Sequence, residues 1–199
     1  MSKKFSIILP SRDGADRIGT ALESIRKQTV KDYELIVVCD SCTDRTEEIA
    51  KRYGAKTVRT DVGSFGGAEN AGLDAATGDW VLFMDDDDWW VDEHVMETIE
   101  RNLDDGIDML FFGFDWLGIG HTYQDENREY CAVWNKCWRR SFIGNTRFSE
   151  SKRYGTDLQF HSDMIAKGPR KKFLHEVLYF YNYRRPGSMT DLWEKGEIE

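Results

Sequence analysis

Proline is nearly missing: three in 199 residues leave no Pro-rich segment to serve as a stiff linker or hinge. Long apolar runs are missing too. Leu35–Cys39 and Trp80–Met84 are strand-sized, well short of the roughly 20 residues a membrane span requires. Met1-Ser-Lys-Lys-Phe5 runs straight into a strand pattern without a signal-peptide core. Only four cysteines occur, Cys39, Cys42, Cys131 and Cys137, which fits a reducing compartment. The Cys131-x5-Cys137 spacing is loose for zinc and Cys39 closes an apolar strand, so these thiols read as small buried hydrophobes. The expectation is a cytoplasmic protein without a transmembrane segment. Neither G-x-G-x-x-G after the first strand nor G-x-x-x-x-G-K-[ST] occurs, which argues against a nicotinamide enzyme and a P-loop ATPase.

What is present is ordinary globular composition. Hydrophobic residues at 40% and aromatics at 13% exclude disorder and coiled coil. The length suits one domain. The net charge of -9 conceals a polarity. Residues 1–133 hold 14 basic and 28 acidic side chains, residues 134–190 hold 12 and 4, and the last nine hold 1 and 4. This is either chance clustering on solvated faces or a molecule with a cation-binding end and an anion-binding end.

Hydrophobic periodicity alternates along the first hundred residues. Strands are predicted at Phe5–Leu9, Leu35–Cys39, Lys56–Thr60, Trp80–Met84 and Met109–Phe114. Helices are predicted from Asp13, its plausible N-cap, to Gln28, and after a Ser41–Asp44 capping box to Tyr53. Others are expected over Ala68–Ala76 and Asp92–Asn102. Such alternation gives an α/β fold with a mostly parallel sheet and helices on both faces. Beyond residue 115 the pattern is less regular. Asp115–Arg140 is rich in aromatics and charges, Asp157–Ala166 reads as a helix and Leu178–Tyr183 as a late strand.

Ligands of open α/β sheets sit beyond the carboxyl ends of the strands. Three loops there carry chemistry: Pro10-Ser-Arg-Asp13, Asp40–Asp44 and Asp85-Asp-Asp-Asp88. Four adjacent carboxylates repel one another unless a cation compensates, and carboxylate oxygens suit Mg²⁺ or Mn²⁺. An extended chain would point Asp85 and Asp87 to the site, with Asp86 and Asp88 elsewhere. The same run can also be a solvated acidic turn or helix start. Taken alone, Asp157 reads as an N-cap. Trp89 and Trp90 read as packing under the acidic loop, with stacking on a sugar the other possibility. His161 and His175 read as surface or core histidines, with metal or phosphate contact open.

The ordered set Phe5-Ser-Ile-Ile-Leu-Pro-Ser-Arg-Asp13, Glu34-Leu-Ile-Val-Val-Cys-Asp-Ser-Cys-Thr-Asp44, Gly67-Ala-Glu-Asn-Ala-Gly72 and Gly78-Asp-Trp-Val-Leu-Phe-Met-Asp-Asp-Asp-Asp88 resembles the family 2 inverting glycosyltransferases. Asn135–Phe142, Phe148-Ser-Glu150 with Gly155-Thr-Asp157, and Tyr179–Tyr183 with Ser188 extend the resemblance toward the C-terminus. It implies the GT-A fold, with a Rossmann-like sheet and a less regular acceptor side. It also implies one domain over 1–199, with 1–114 binding the nucleotide-sugar and 115–199 carrying the acceptor side and the base. Pro10, Ser11, Arg12 and Asp13 would line the nucleotide pocket, and Asp40 would accept the uracil N3–H of a UDP-sugar. Asn70 and Asp86 would sit with the donor, Asp85 and Asp87 would form the D-x-D pair on Mn²⁺ or Mg²⁺, and Asp157 would be the general base.

Departures from that pattern are Cys39 in place of a first Asp, Glu69 in place of a basic residue, and Thr156 in place of a Glu. A cation for the donor would then come from Arg12 or Lys136. No Q-x-x-R-W occurs, against a processive synthase, and no G-x-G-x-R loop follows the first strand. The alternatives are a nucleotidyltransferase on this fold or a silent sugar-nucleotide-binding protein. The acceptor is expected to be a glycan, lipid-linked or other hydroxyl. The basic C-terminal third suggests an anionic one, modified nucleic acid included.

Overall fold

The computed structural model describes residues 4–117, 119–151, 155–183 and 185–196. Elements follow in chain order: β1 (Phe5–Ser11), α1 (Ile18–Lys27), β2 (Tyr33–Asp40), α2 (Thr46–Arg52), β3 (Lys56–Thr60), α3 (Phe65–Ala75), β4 (Trp80–Phe83), β5 (Trp89–Trp90) and α4 (Val95–Arg101). Then come β6 (Met109–Asp115), β7 (His121–Thr122), β8 (Lys136–Arg139), α5 (Arg140–Ile143), α6 (Thr156–Ala166), β9 (Lys171–Phe180) and α7 (Met189–Glu194).

The sheet runs β3-β2-β1-β4-β8-β6-β9-β5, with β7 on β6. β3, β2, β1 and β4 are parallel neighbours, as are β6 and β9. Ile7, Ile8 and Leu9 of β1 are wholly buried, because a central parallel strand is covered on both faces. α1 buries Ile18, Ala21, Leu22 and Ile25, the spacing of one helix face. α3 lies close on the sheet at Gly72, where a Cβ would come within 2.3 Å of Ile8.

β8 lies antiparallel between β4 and β6, inside the segment that sequence periodicity left irregular. β9 starts at Lys171 rather than Leu178, because its first half exposes Lys171, His175 and Glu176 and carries no buried run. α1 begins at Ile18, so Asp13 is not its N-cap; Asp13 adopts φ 45° in the loop before it. α2 begins at Thr46 without a side-chain cap of the expected form; Asp44 instead accepts from the Thr46 N–H two residues on.

An aromatic wedge joins the two halves of the chain. Phe148 stacks on Phe160 at 4.0 Å, and Phe83 and Trp138 meet this pair edge-on. Trp89 packs on Phe180 beneath the acidic segment. Among the described residues no helix is long and apolar enough to cross a membrane.

Candidate active site

The carboxyl ends of β1, β2 and β4 open onto a cleft of about 310 Å³. Its lining includes Pro10, Ser11, Arg12, Asp40 and Asp85–Asp87, together with residues from the 181–190 segment.

Asp40, only 4% exposed, ends β2. Its Oδ1 accepts from Thr60 Oγ1 (2.9 Å), Val62 N (3.0 Å) and Gly63 N (3.2 Å), and its Oδ2 meets Arg12 Nη2 at 2.5 Å. Burial alone would raise its pKa. The Arg12 guanidinium, the Gly63 N–H and the Thr60 hydroxyl outweigh burial and hold the carboxyl below its usual range.

The four aspartates form a turn, not an extended strand: Asp88 N donates to Asp85 O at 3.3 Å. This corrects the alternation expected from sequence, since Asp86 also lines the cleft. Asp86 accepts from Ser11 Oγ (2.5 Å) and Arg17 Nε (2.8 Å). Asp87 pairs with Arg185. Asp88 turns away and accepts from Tyr179 Oη and Asn182 N, both at 2.8 Å. The Asp85 carboxylate meets no hydrogen-bond donor among the described residues. Burial and then the neighbouring aspartates, Asp88 first, push its pKa far up.

One oxygen each from Asp85, Asp87 and Asp88 lies within 4.8 Å of the others. Asp88 spends both oxygens on hydrogen bonds and Asp87 shares its Oδ2 with Arg185, so Asp85 and the other Asp87 oxygen are the ones that would hold an ion. Hard carboxylate donors and a half-buried Asp85 carboxylate with no donor of its own fit a divalent cation.

Behind the turn, Asp157 lies in the first turn of α6, and Gly155 takes the N-cap place. Its Oδ2 accepts from Val133 N at 3.0 Å. Burial raises its pKa, against the Val133 N–H and Lys136. Lys136 is wholly buried and donates to Tyr130 O (2.6 Å), Asn135 Oδ1 (2.8 Å) and Ala132 O, so it straps the 130–135 loop from inside. It is therefore not a cation facing the donor. Burial lowers its pKa to about 7.

Two expected donor residues lie off the cleft lining. Asp13 bridges loops, accepting from Thr43 N (2.7 Å) and Asp44 N (3.2 Å). Asn70 fastens α3 to the chain at Phe148, with bonds of 2.8 and 3.0 Å to its backbone. His161 is buried 3.6 Å from Glu129, and His175 is exposed on β9; neither joins an ion-holding cluster among the described residues.

Arg17 and Arg185 are site residues that sequence reading missed. Arg185 stands 98 positions from Asp87, beyond any local spacing signal.

The basic third has a structural explanation. All nine described Lys and Arg side chains of residues 134–190 meet a carboxylate or a carbonyl oxygen of the chain. Arg170 on Asp108 and Arg147 on Asp74 are examples. Most of these bonds reach groups of residues 1–133, so among the described residues the charge polarity ties the two parts of the chain together. Lys152, Arg153 and Arg184 lie outside the described residues.

The family described as Glycosyl transferase family 2 matches residues 6–168, most of the chain and every strand-end loop above. The chain belongs to glycosyl transferase family 2. The uncharacterized glycosyltransferase EpsJ of Bacillus subtilis (strain 168) is 28% identical over 217 residues, covering 94% of this chain and 63% of that protein. Family 2 membership agrees with the folds found. The Staphylococcus aureus TarS 1-349 structure in complex with UDP-GlcNAc has a TM-score of 0.84 at 23% identity, covering 94% of this chain and 60% of that one. Glucosyl-3-phosphoglycerate synthase from Mycobacterium tuberculosis, in complex with Mn2+, UDP and phosphoglyceric acid, has a TM-score of 0.70 at 19% identity, covering 98% of this chain and 74% of that one. The α/β architecture is thus the GT-A fold. The chain spans less than two thirds of the curated relatives it matches, 63% of EpsJ and 36% of S. aureus TarS.

Proposed function

We propose that this chain moves a sugar from a nucleotide-diphospho-sugar, a UDP-sugar, to an acceptor hydroxyl with inversion. It does so as one domain over 1–199, with 1–114 taking the donor and 115–199 the acceptor side. One observation carries this reading: Asp40 and Asp85–Asp87 line a single cleft, with Arg12, Arg17 and Arg185 among them. An acidic hydrogen-bond acceptor at one end suits a base N–H. Carboxylates and arginines at the other suit a diphosphate with its cation.

In this reading Pro10 and Ser11 border the nucleoside through their backbone, with Arg12 beside it. Asp40 accepts the uracil N3–H, since a carboxylate oxygen can take more than one donor. Asp85 and Asp87 would hold Mn²⁺ or Mg²⁺, which when bound acts as a Lewis acid on the diphosphate. Asp86, held by Ser11 and Arg17, keeps the turn in place. Arg185 faces the same carboxylates and takes up charge that develops on the leaving group. Asp157 receives the acceptor's proton, a contribution of about 10²–10⁴ in rate, and its raised pKa makes it a stronger base.

Structures of relatives holding UDP, UDP-GlcNAc and Mn2+ support the donor and the ion. Four free thiols suit the reducing cytoplasm. The acceptor is a hydroxyl on a glycan or lipid-linked chain.

The test is UDP release from UDP-sugars in the presence of Mn²⁺. Metal-dependent release, abolished by Asp87→Ala, is expected. Pyrophosphate in place of UDP would make it a nucleotidyltransferase, and binding without turnover of any donor would make it a silent binding protein.

A further inference from the structure

Six large apolar side chains stand exposed among the described residues, and of these Phe65 alone lines the cleft. It opens α3, is 49% exposed, and lies outside the hydrophobic core and the side chains that flank it. A lone exposed apolar residue is ordinary on a protein surface. Inside a ligand cleft the same ring is a flat face that a bound molecule can cover.

The backbone turns Phe65 into the cleft and holds it there. Ala68, one turn further on, lines the cleft as well, so the face of α3 that carries both residues is the cleft-facing one. The helix cannot withdraw. A Cβ at Gly66 would fall 2.3 Å from Ser149 O, and Asn70 is bonded to the Phe148 backbone. Ser64 caps the first turn, its Oγ accepting from Gly67 N at 3.2 Å.

The chain just ahead of Phe65 wraps the buried carboxyl of Asp40. Val62 N and Gly63 N both donate to Asp40 Oδ1, and the two residues from Gly63 to Phe65 span at most about 7 Å. Arg12 borders the same end, since a Cβ at Gly63 would lie 3.7 Å from its Nη2. Phe65 therefore stands at the Asp40 end of the cleft.

We infer that Phe65 is the stacking platform for the donor's nucleobase: the base that meets Asp40 with its edge lies with its face on the Phe65 ring. The inference rests on the donor reading above and adds to it the residue that supplies base affinity. Every base has a π-face, so stacking binds without choosing. The choice is left to the edge contact with Asp40.

The experiment is titration calorimetry with Mn²⁺ present, using UDP, CDP and inorganic pyrophosphate as probes. Phe65→Ala should weaken UDP and CDP alike, by about tenfold or more, the scale of one lost base–aromatic stack. Pyrophosphate has no base, and its affinity should stay within about threefold of wild type, which also reports a folded site. Phe65→Tyr keeps a ring face and should hold UDP within about threefold of wild type. Phe65→Leu, apolar but without a π-face, gives the alanine reading should that variant not fold. UDP affinity within about twofold of wild type in the alanine and leucine variants overturns the role of Phe65. So does an equal loss for pyrophosphate, a loss confined to one of the two nucleotides, or a tyrosine variant as weak as alanine. Wild type that binds no UDP with Mn²⁺ overturns the donor reading itself, and the inference with it.

Discussion

The Tyr179 hydroxyl donates to Asp88 Oδ2 at 2.8 Å and receives the Asp85 backbone N–H at 3.2 Å. One phenol on β9 thus spans the first and last residues of the acidic turn. It holds Asp88 out of the cleft, which leaves Asp85 and the Arg185-paired Asp87 on the cleft side. Trp134 stacks on the same ring at 4.6 Å and fixes its plane.

Tyr179→Phe should therefore cost about 1–3 kcal/mol, because a buried carboxylate oxygen and a backbone N–H lose their partner. Chemical denaturation measures this loss. Mn²⁺ affinity, read by calorimetry, should fall with it. Unchanged stability would mean that Asn182 alone fixes the turn.

Asp40→Asn should weaken UDP binding by about tenfold or more and narrow the preference for UDP over CDP, since an amide can satisfy either base edge. The cost to stability follows from the same bonds, because Val62 N and Gly63 N both rely on Asp40 Oδ1. Titration calorimetry with the two nucleotides separates recognition from folding.

The pH dependence follows from Asp157. Its folded pKa lies above the ordinary aspartate value of 3.8 because burial disfavours the charge. Its contribution to stability is therefore full below the unfolded pKa and is lost as pH rises through the folded one. Asp157→Asn should be more stable than wild type near pH 8 and should lose that advantage near pH 4, as melting curves at the two pH values would show. The same variant should have negligible kcat. The acid limb of the wild-type kcat profile should lie above the ordinary aspartate range.

Lys136→Met should lower kcat by about tenfold or more while leaving KM for the donor within about threefold, because Lys136 acts through the 130–135 loop on the Val133–Asp157 bond and touches no donor residue. Steady-state kinetics on the folded variant decides it. A matching loss in KM would place Lys136 in the donor cleft.

The strand-end loops of the first 88 residues were legible because each combines a local apolar run with a polar stop. Phe5–Leu9 before Pro10, Leu35–Cys39 before Asp40 and Trp80–Met84 before Asp85 all show this pattern. The partners of those loops were not legible. Arg185 reaches Asp87 from 98 residues away, and Lys136, expected as a cation for the donor, is enclosed by the fold instead. Periodicity also hid β8, whose four residues Lys136–Arg139 set a charge at each end of a cysteine and a tryptophan yet sit in the middle of the sheet. Asp13 and Ser41–Asp44 misled for the opposite reason: they carry the side chains of helix caps but serve loop-to-loop bonds.

β8 has a consequence for how the chain reaches this form during synthesis. Its residues leave the ribosome more than fifty positions after β4 and more than twenty after β6, the two strands it joins. Until then β4 has an open edge, and the sheet cannot cross from its nucleotide half to its acceptor half. Such sequence-distant pairing slows folding. The late arrival of one short strand therefore delays the joining of the two halves of the sheet, and the cleft itself is completed later still, because Tyr181, Asn182 and Arg185 in its lining follow β9.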